Sequence, residues 1–183
     1  MADTMPHAER SLVDRATSAL RDVPDFPSAG ILFKDITPLL ADGPLLADVT
    51  GAMAGPFRDR GVTHVAGIES RGFILGAAVA LHLGVGFVPI RKPGKLPWKT
   101  VRRAYTLEYG TAELEAHTDA CVAGSRVLVV DDVLATGGTA DAACALVEEV
   151  GGTVVGCSFL LEIGALNGRA RLADRLLRTL VVT

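Results

Sequence analysis

The sequence predicts an α/β fold, a central and mostly parallel sheet flanked by helices, and three observations carry that expectation. From residue 62 onward, short apolar runs alternate with segments of helical period, the pattern of successive βαβ units. Val127-Leu128-Val129-Val130 is wholly apolar, as a strand covered on both faces must be. Two strand-to-helix junctions, at Glu69-Ser70-Arg71-Gly72 and from Asp131 to Thr139, carry polar and small residues. In open α/β sheets such junctions form the carboxyl edge, where ligands bind.

The 183 residues suit one domain spanning 1–183, with no linker, repeat or low-complexity segment. A hydrophobic fraction of 49% and a charged fraction of 21% are those of a globular chain. The net charge of −3 supplies no global field for nucleic acid or an anionic membrane. An anionic small molecule would therefore need a local cationic site. Cys121, Cys144 and Cys157 show no C-x-x-C spacing and read as buried thiols of a reducing, cytoplasmic compartment. MADTMPHAER is charged and lacks the apolar core of a secretory signal. Gly72–Ile90 runs 19 residues without Asp, Glu, Lys or Arg, long enough to suggest a membrane span. Gly84-Val85-Gly86 and Pro89 interrupt it, so it reads as a buried helix, a turn and a strand.

In chain order, Glu9–Val23 has Leu12, Val13, Ala16, Ala19 and Leu20 at helical spacing. PDFPSAG, residues 24–30, ends that helix and leads to the apolar Ile31-Leu32-Phe33. Pro44–Arg60 is a second helical stretch closed by Gly61, and His64–Ile68 a strand. At the junction that follows, Ser70 is placed to cap the next helix and Arg71 to complete an anion site. The strand Phe87–Ile90 runs into Arg91-Lys92-Pro93-Gly94-Lys95-Leu96-Pro97-Trp98-Lys99, a loop holding three of the chain's four lysines. Cations concentrated in one irregular loop of an acidic chain suggest a lid closing over phosphates. Ala104–Tyr109 alternates as a half-exposed strand, with Ala112–His117 at the end of its hairpin. Thr139–Val150 is an amphipathic helix, Thr153–Leu161 a strand, Leu166–Leu176 a final helix, and Thr179–Thr183 a last strand.

The loop Ala135-Thr136-Gly137-Gly138-Thr139 suits a monophosphate. Its glycines permit close backbone approach, its threonines supply donors, and its amides face the positive end of a helix. No G-x-x-x-x-G-K-[ST] occurs, and Gly84-Val85-Gly86 precedes a strand rather than opening a helix, so neither nucleotide fingerprint applies. Asp131 and Asp132 directly before a phosphate cradle would repel the ligand. They make sense if it carries vicinal hydroxyls, with Mg²⁺ compensating their charge.

VLVVDDVLATGGTA resembles the 5-phosphoribosyl 1-diphosphate (PRPP) motif of the type I phosphoribosyltransferases. PDFPSAGILFKDITPLL, AGIESRGFILG, IRKPGKLPW and YTLEYGTAELE are similar, in order, to segments of its adenine-specific branch. The resemblance implies the type I phosphoribosyltransferase fold, with an N-terminal helix and base-binding hood over 1–40 and a mobile lid hairpin over 91–110. It implies an enzyme converting adenine and PRPP to AMP and diphosphate with Mg²⁺, as a homodimer. Asp131 and Asp132 would hold the ribose hydroxyls and approach Mg²⁺ bound with PRPP, and Ala135 to Thr139 the 5-phosphate. Glu69, Ser70, Arg71, Arg91 and Lys95 would form the pyrophosphate site, with a cis peptide after Glu69 and Arg91 acting across the dimer interface. Phe33 would stack on adenine while backbone groups of Leu32 and Lys34 read its edge. Glu108 would be the acid/base group beside adenine N7.

Ser28-Ala29, Trp98 and Thr106 depart from the family pattern, the last two in the hairpin that bears on lid dynamics and affinity. A xanthine-type enzyme is the nearest alternative. Hypoxanthine–guanine enzymes use a lysine after the PRPP motif, and none follows Lys99 here. A PRPP-sensing regulator, the alternative from another class, would need a DNA-binding extension that the chain has neither the length nor the charge to supply.

Overall fold

The computed structural model describes residues 7–106 and 111–183, with side chains from 12 to 105 and from 111 onward. The chain divides into two compact units, Met1–Gly51 and Ala52–Thr183.

In the first unit α1 (His7–Ala19) gives way to β1 (Arg21–Pro24), which pairs antiparallel with β2 (Leu32–Asp35). The helix expected through Val23 therefore stops four residues short. Pro24 disfavours helical geometry in the residue before it, and Asp22 and Val23 find strand partners in Lys34 and Phe33. The connecting turn is tied by the Asp25 carboxylate, which accepts the Gly30 amide at 2.7 Å. α2 (Thr37–Ala41) and α3 (Gly43–Ala54) follow, and Ala16, Ile36, Leu39, Leu45 and Val49 are buried. α3 ends in a 3-10 turn, Gly55–Phe57, because Pro56 has no amide to continue the ladder.

The second unit is organised by a five-stranded sheet in the order β4-β3-β7-β8-β9. Its strands are β3 (His64–Ile68), β4 (Gly86–Ile90), β7 (Arg126–Leu134), β8 (Thr153–Glu162) and β9 (Leu177–Val182). Every pairing in it is parallel. α4 (Arg71–Leu83) joins β3 to β4, and α5 (Gly138–Glu149) joins β7 to β8. α4 ends on Gly84 at φ 68°, the left-handed C-terminal geometry that glycine adopts without a Cβ clash. The uncharged run thus forms a helix, a turn and a strand, and no helix among the described residues is long and apolar enough to cross a membrane. Val127, Leu128, Val129 and Val130 are all fully buried, as is Phe159 beside them on β8. All three cysteines are free and buried. Hydrogen bonding to Cys157 at 3.6 Å, together with burial, drives the Cys144 thiol far above its ordinary range.

β5 (Thr100–Thr106) and β6 (Thr111–His117) form a separate antiparallel pair. Leu166–Leu176 is not the predicted helix. Two 3-10 turns, Gly164–Leu166 and Gly168–Leu172, take its place. Asn167 lies between them at φ 50°, a left-handed residue that a continuous α-helix cannot accommodate.

Candidate active site

β3 and β7 are neighbours, with His64 opposite Val127 and Gly67 opposite Val130. The junctions that leave them therefore open side by side at the carboxyl edge. The strand expected to end before the aspartates continues through them to Leu134, pairing Asp131 with Phe159 and Leu134 with Glu162. The ladder offered by β8 overrides the poor strand preference of aspartate. Both carboxylates are consequently buried, at 9% and 5% exposure. The Asp132 amide donates to Asp131 Oδ1 at 2.9 Å. Burial first, and then the negative charge of Asp132, raise the Asp131 carboxyl well above its ordinary range, against the opposing pull of that amide and of Arg71.

Arg71 Nε lies 2.8 Å from Asp132 Oδ2, yet that oxygen accepts no hydrogen bond of normal geometry among the described residues. The contact is a charge pairing whose N–H is poorly aimed at the oxygen. A buried acceptor left in this way costs about 1–3 kcal/mol. Two adjacent carboxylates with an unsatisfied buried oxygen form a donor set that fits a hydroxyl or a hard cation. No cluster of three His, Cys, Asp or Glu able to hold a metal occurs among the described residues. A Mg²⁺ ion here would therefore draw most of its ligands from substrate and water, as Mg²⁺ commonly does.

After Leu134 the chain passes Ala135 and Thr136 and reaches Gly137 at φ 81°, the N-cap of α5. No side chain caps this helix start, so its first amides are unsatisfied by the usual device and suit an anion. Gly137 and Gly138 are buried, while Ala135, Thr136 and Thr139 are half-buried.

At the other junction the Glu69–Ser70 peptide is cis. Ser70 is the N-cap of α4 but makes no side-chain cap bond, contrary to expectation. Its φ of −106° and ψ of −39° are helical, whereas a capping serine has extended geometry. Gly72 is a residue that the sequence did not single out. A Cβ there would lie 2.6 Å from Asp131 Oδ1 and 3.1 Å from the Val130 carbonyl. Only glycine lets the start of α4 come this close to the acidic pair.

The basic loop begins at this site. Arg91 Nε donates to Glu69 Oε2 at 3.0 Å, and Arg91 Nη1 to the Lys95 carbonyl at 3.0 Å. The guanidinium also sits 5.7 Å from the centre of the Phe73 ring. Glu115, at 1% exposure, is the second residue missed from sequence. Its Oε1 accepts the amides of Lys95 and Leu96 at 3.0 and 3.1 Å. Its Oε2 accepts from Thr100 Oγ1 at 3.2 Å and Arg102 Nε at 3.3 Å. Burial raises the Glu115 carboxyl, but the amides of Leu96, Lys95 and Gly94 and the Thr100 hydroxyl outweigh it, and the net shift is downward. A glutamate on a short alternating strand is ordinarily solvated, so the sequence carries little sign of this anchor.

Leu32, Phe33 and Lys34 lie on β2 of the first unit. Leu32 is 51% exposed, Phe33 packs edge-on to Phe26 with centroids 5.1 Å apart, and Lys34 Nζ donates to Asp22 Oδ1 at 2.5 Å. Glu108 lies outside the described residues. The second unit thus brings Arg71, Asp131 and Asp132 into one cluster and joins Glu69, Arg91 and Lys95 in another.

The phosphoribosyl transferase domain family matches residues 36–176. The adenine phosphoribosyltransferase of Nitrosococcus oceani is 53% identical over 92% of this chain and 99% of its own. Among solved structures, that of Rhodothermus marinus is 51% identical with a TM-score of 0.91, covering 95% of this chain and 99% of its own. That of Saccharomyces cerevisiae, 39% identical with a TM-score of 0.87 over 93% and 99%, was determined with adenine and an imino-altritol bisphosphate. The chain belongs to the phosphoribosyltransferase family and, within it, to the adenine phosphoribosyltransferases.

Proposed function

We propose that this enzyme transfers the phosphoribosyl group of PRPP to adenine, giving AMP and diphosphate in purine salvage. The observation that carries the reading is the buried Asp131–Asp132 pair, with Arg71 2.8 Å from Asp132 Oδ2, directly before the uncapped start of α5. Carboxylates accept from a diol, and free helix amides donate to a phosphate. A ribose 5-phosphate presents both groups, and here their two partners follow one another along one chain segment. The adenine found with the yeast relative supports the choice of base.

In the reaction the C1–O bond to diphosphate breaks, the C1–N9 bond to adenine forms, and the imidazole-ring proton of adenine, carried on N7, passes to Glu108. Asp131 and Asp132 hold the ribose hydroxyls. Ala135, Thr136, Gly137, Gly138 and Thr139 hold the 5-phosphate and keep C1 in place. As the leaving diphosphate gains charge, Ser70, Arg71, Arg91 and Lys95 stabilise it, with Glu69 orienting Arg91. Asp131 and Asp132 would help to hold a Mg²⁺ ion bound with PRPP, which would supply further positive charge for the leaving diphosphate. Leu32 and Lys34 read the edge of adenine, Phe33 stacks on it, and Glu108 exchanges a proton at N7. The 91–110 hairpin excludes water that would otherwise hydrolyse PRPP.

Homodimer formation is part of the proposal. Ile74, Ala77 and Leu81 form an exposed apolar stripe on α4, with Leu81 84% exposed, and such a stripe suits a second copy. The buried thiols fit a reducing cytoplasm.

Purified protein given PRPP, Mg²⁺ and one base at a time is expected to form AMP from adenine, with hypoxanthine, guanine, xanthine and orotate far poorer substrates. Faster formation of xanthine or hypoxanthine nucleotides would overturn the choice of base while leaving PRPP use intact.

A further inference from the structure

We propose that Glu162, Arg169 and Thr179 form a clasp that presses the Gly168 turn against the loop 135–139 and so positions that loop for the 5-phosphate. The inference rests on the reading of Ala135–Thr139 as the phosphate site. It assigns positioning residues to a segment outside that site.

The loop has little of its own to hold it. Gly137 and Gly138 carry no side chains, and no side chain caps α5. Glycines lose more freedom on ordering than any other residue, so a precise loop must take its rigidity from its neighbours. The neighbour here is backbone. A Cβ on Gly137 would lie 2.5 Å from the Gly168 carbonyl oxygen and 3.2 Å from Arg171 Cβ. A Cβ on Gly168 would collide with the Ala135 carbonyl and stand 2.9 Å from the Gly137 nitrogen. Two glycines thus face each other, and each is the only residue type the other tolerates.

The position of Gly168 is set by the residue after it. Arg169 grips Glu162 with a two-pronged contact, Nε to Oε1 at 3.1 Å and Nη2 to Oε2 at 2.5 Å. Thr179 Oγ1 donates to Glu162 Oε2 at 3.0 Å and accepts from Arg169 Nη2 at 3.2 Å. The Glu162 side chain is only 8% exposed although that of Arg169 is 49%, so the carboxylate is a fixed anvil and the guanidinium the movable jaw. Forked pairs of this kind fix orientation as well as contributing energy. Glu162 is itself locked to the loop's other end. It lies opposite Leu134 in the ladder, and the Ile163 amide donates to the Leu134 carbonyl at 2.9 Å. The Glu162 carboxyl is held below its ordinary value, chiefly by Arg169 and against burial, in keeping with a persistent pair. Leu134 from one side and Gly168 from the other therefore bracket Ala135 to Gly137.

The test is steady-state kinetics of full-length G168A, R169M, R169K and T179V, with PRPP and adenine varied separately and ribose 5-phosphate as a competitive probe. R169M and G168A are expected to raise the KM for PRPP and the Ki for ribose 5-phosphate about tenfold or more, because small misplacements of binding groups are costly. The KM for adenine should stay within about twofold, since a loss of folded enzyme lowers kcat without splitting the two substrates. R169K keeps the charge without the fork and should recover only part of the loss. T179V keeps the ion pair and removes the two hydrogen bonds of the Thr179 hydroxyl, to Glu162 and from Arg169, so about a twofold to threefold rise in Ki is expected, and this variant decides the matter if the others do not fold. Unchanged PRPP KM and ribose 5-phosphate Ki in the folded variants, or an equal rise in both KM values, defeats the clasp alone. A wild-type protein that does not use PRPP defeats the reading on which the clasp rests, and the clasp with it.

Discussion

Arg71 Nε stands 2.8 Å from Asp132 Oδ2 and joins the two junctions of the sheet before any substrate arrives. Without it, two adjacent buried carboxylates would share one edge of the sheet with no nearby cation among the contacts described. Removing one partner of a buried pair is more costly than the pair is stabilising. Arg71 is about one-third exposed, which moderates the effect by solvent screening.

R71M is therefore expected to destabilise the unliganded protein by about 1–3 kcal/mol. It should also raise the KM for PRPP, while the KM for adenine changes little. Thermal unfolding with and without PRPP, beside the kinetics, checks both. A variant as stable as wild type would mean that the contact with Asp132 carries no weight in the resting enzyme.

Asp131 sets a pH dependence of its own. Its folded pKa is raised above the ordinary 3.8, so the folded protein binds this proton more tightly than the unfolded chain. Stability contributed by the protonated form is full below the ordinary value and declines as pH climbs through the raised one. D131N keeps the oxygen that accepts the Asp132 amide and removes the titration. It should raise the unliganded Tm at neutral pH by a few degrees, at about 2–4 °C per kcal/mol for a protein of this size. PRPP use should fall sharply. A Tm that stays at or below the wild-type value between pH 4 and 8 would count against the burial argument.

Glu115 titrates with the opposite sign. Its folded pKa is lowered from 4.5, so its contribution is complete above that value and is lost as pH falls through the lowered one. In E115Q the amide group must turn its donors toward Arg102, which can only donate, and toward the Thr100 hydroxyl, which must rotate to accept. A cost of about 1–3 kcal/mol is expected, together with a weaker hold on the loop that carries Lys95. Urea unfolding at pH 7 and at pH 4 separates the two variants: E115Q should lose most at pH 7, and D131N should gain most there.

E108Q is expected to lower kcat by about 10²–10⁴ while the KM for PRPP stays within about twofold, as loss of a proton-transfer group does. A rise in KM with kcat preserved would assign Glu108 to binding instead.

Sequence alone determined the reaction class, because its signals are local. The buried strand, the paired aspartates and the Ala135–Thr139 loop lie within one short segment, and strand period and glycine chemistry are readable at that range. Both junctions, the basic loop and the uncharged run from Gly72 to Ile90 were legible for the same reason. What went unread depends on residues far apart in the chain. Whether Asp131 lies in or beyond its strand is decided by the β8 ladder. Whether Ser70 caps its helix depends on a backbone conformation that composition does not encode. Leu166–Leu176 has a helical period, yet Asn167 turns left-handed and Gly168 meets Gly137, so tertiary contact prevails over local pattern. Gly72, Glu115 and Glu162 look ordinary in sequence because their importance comes from what stands opposite them: Asp131, the amides of Lys95 and Leu96, and the guanidinium of Arg169. Packing across the sheet placed them there, and no local pattern could.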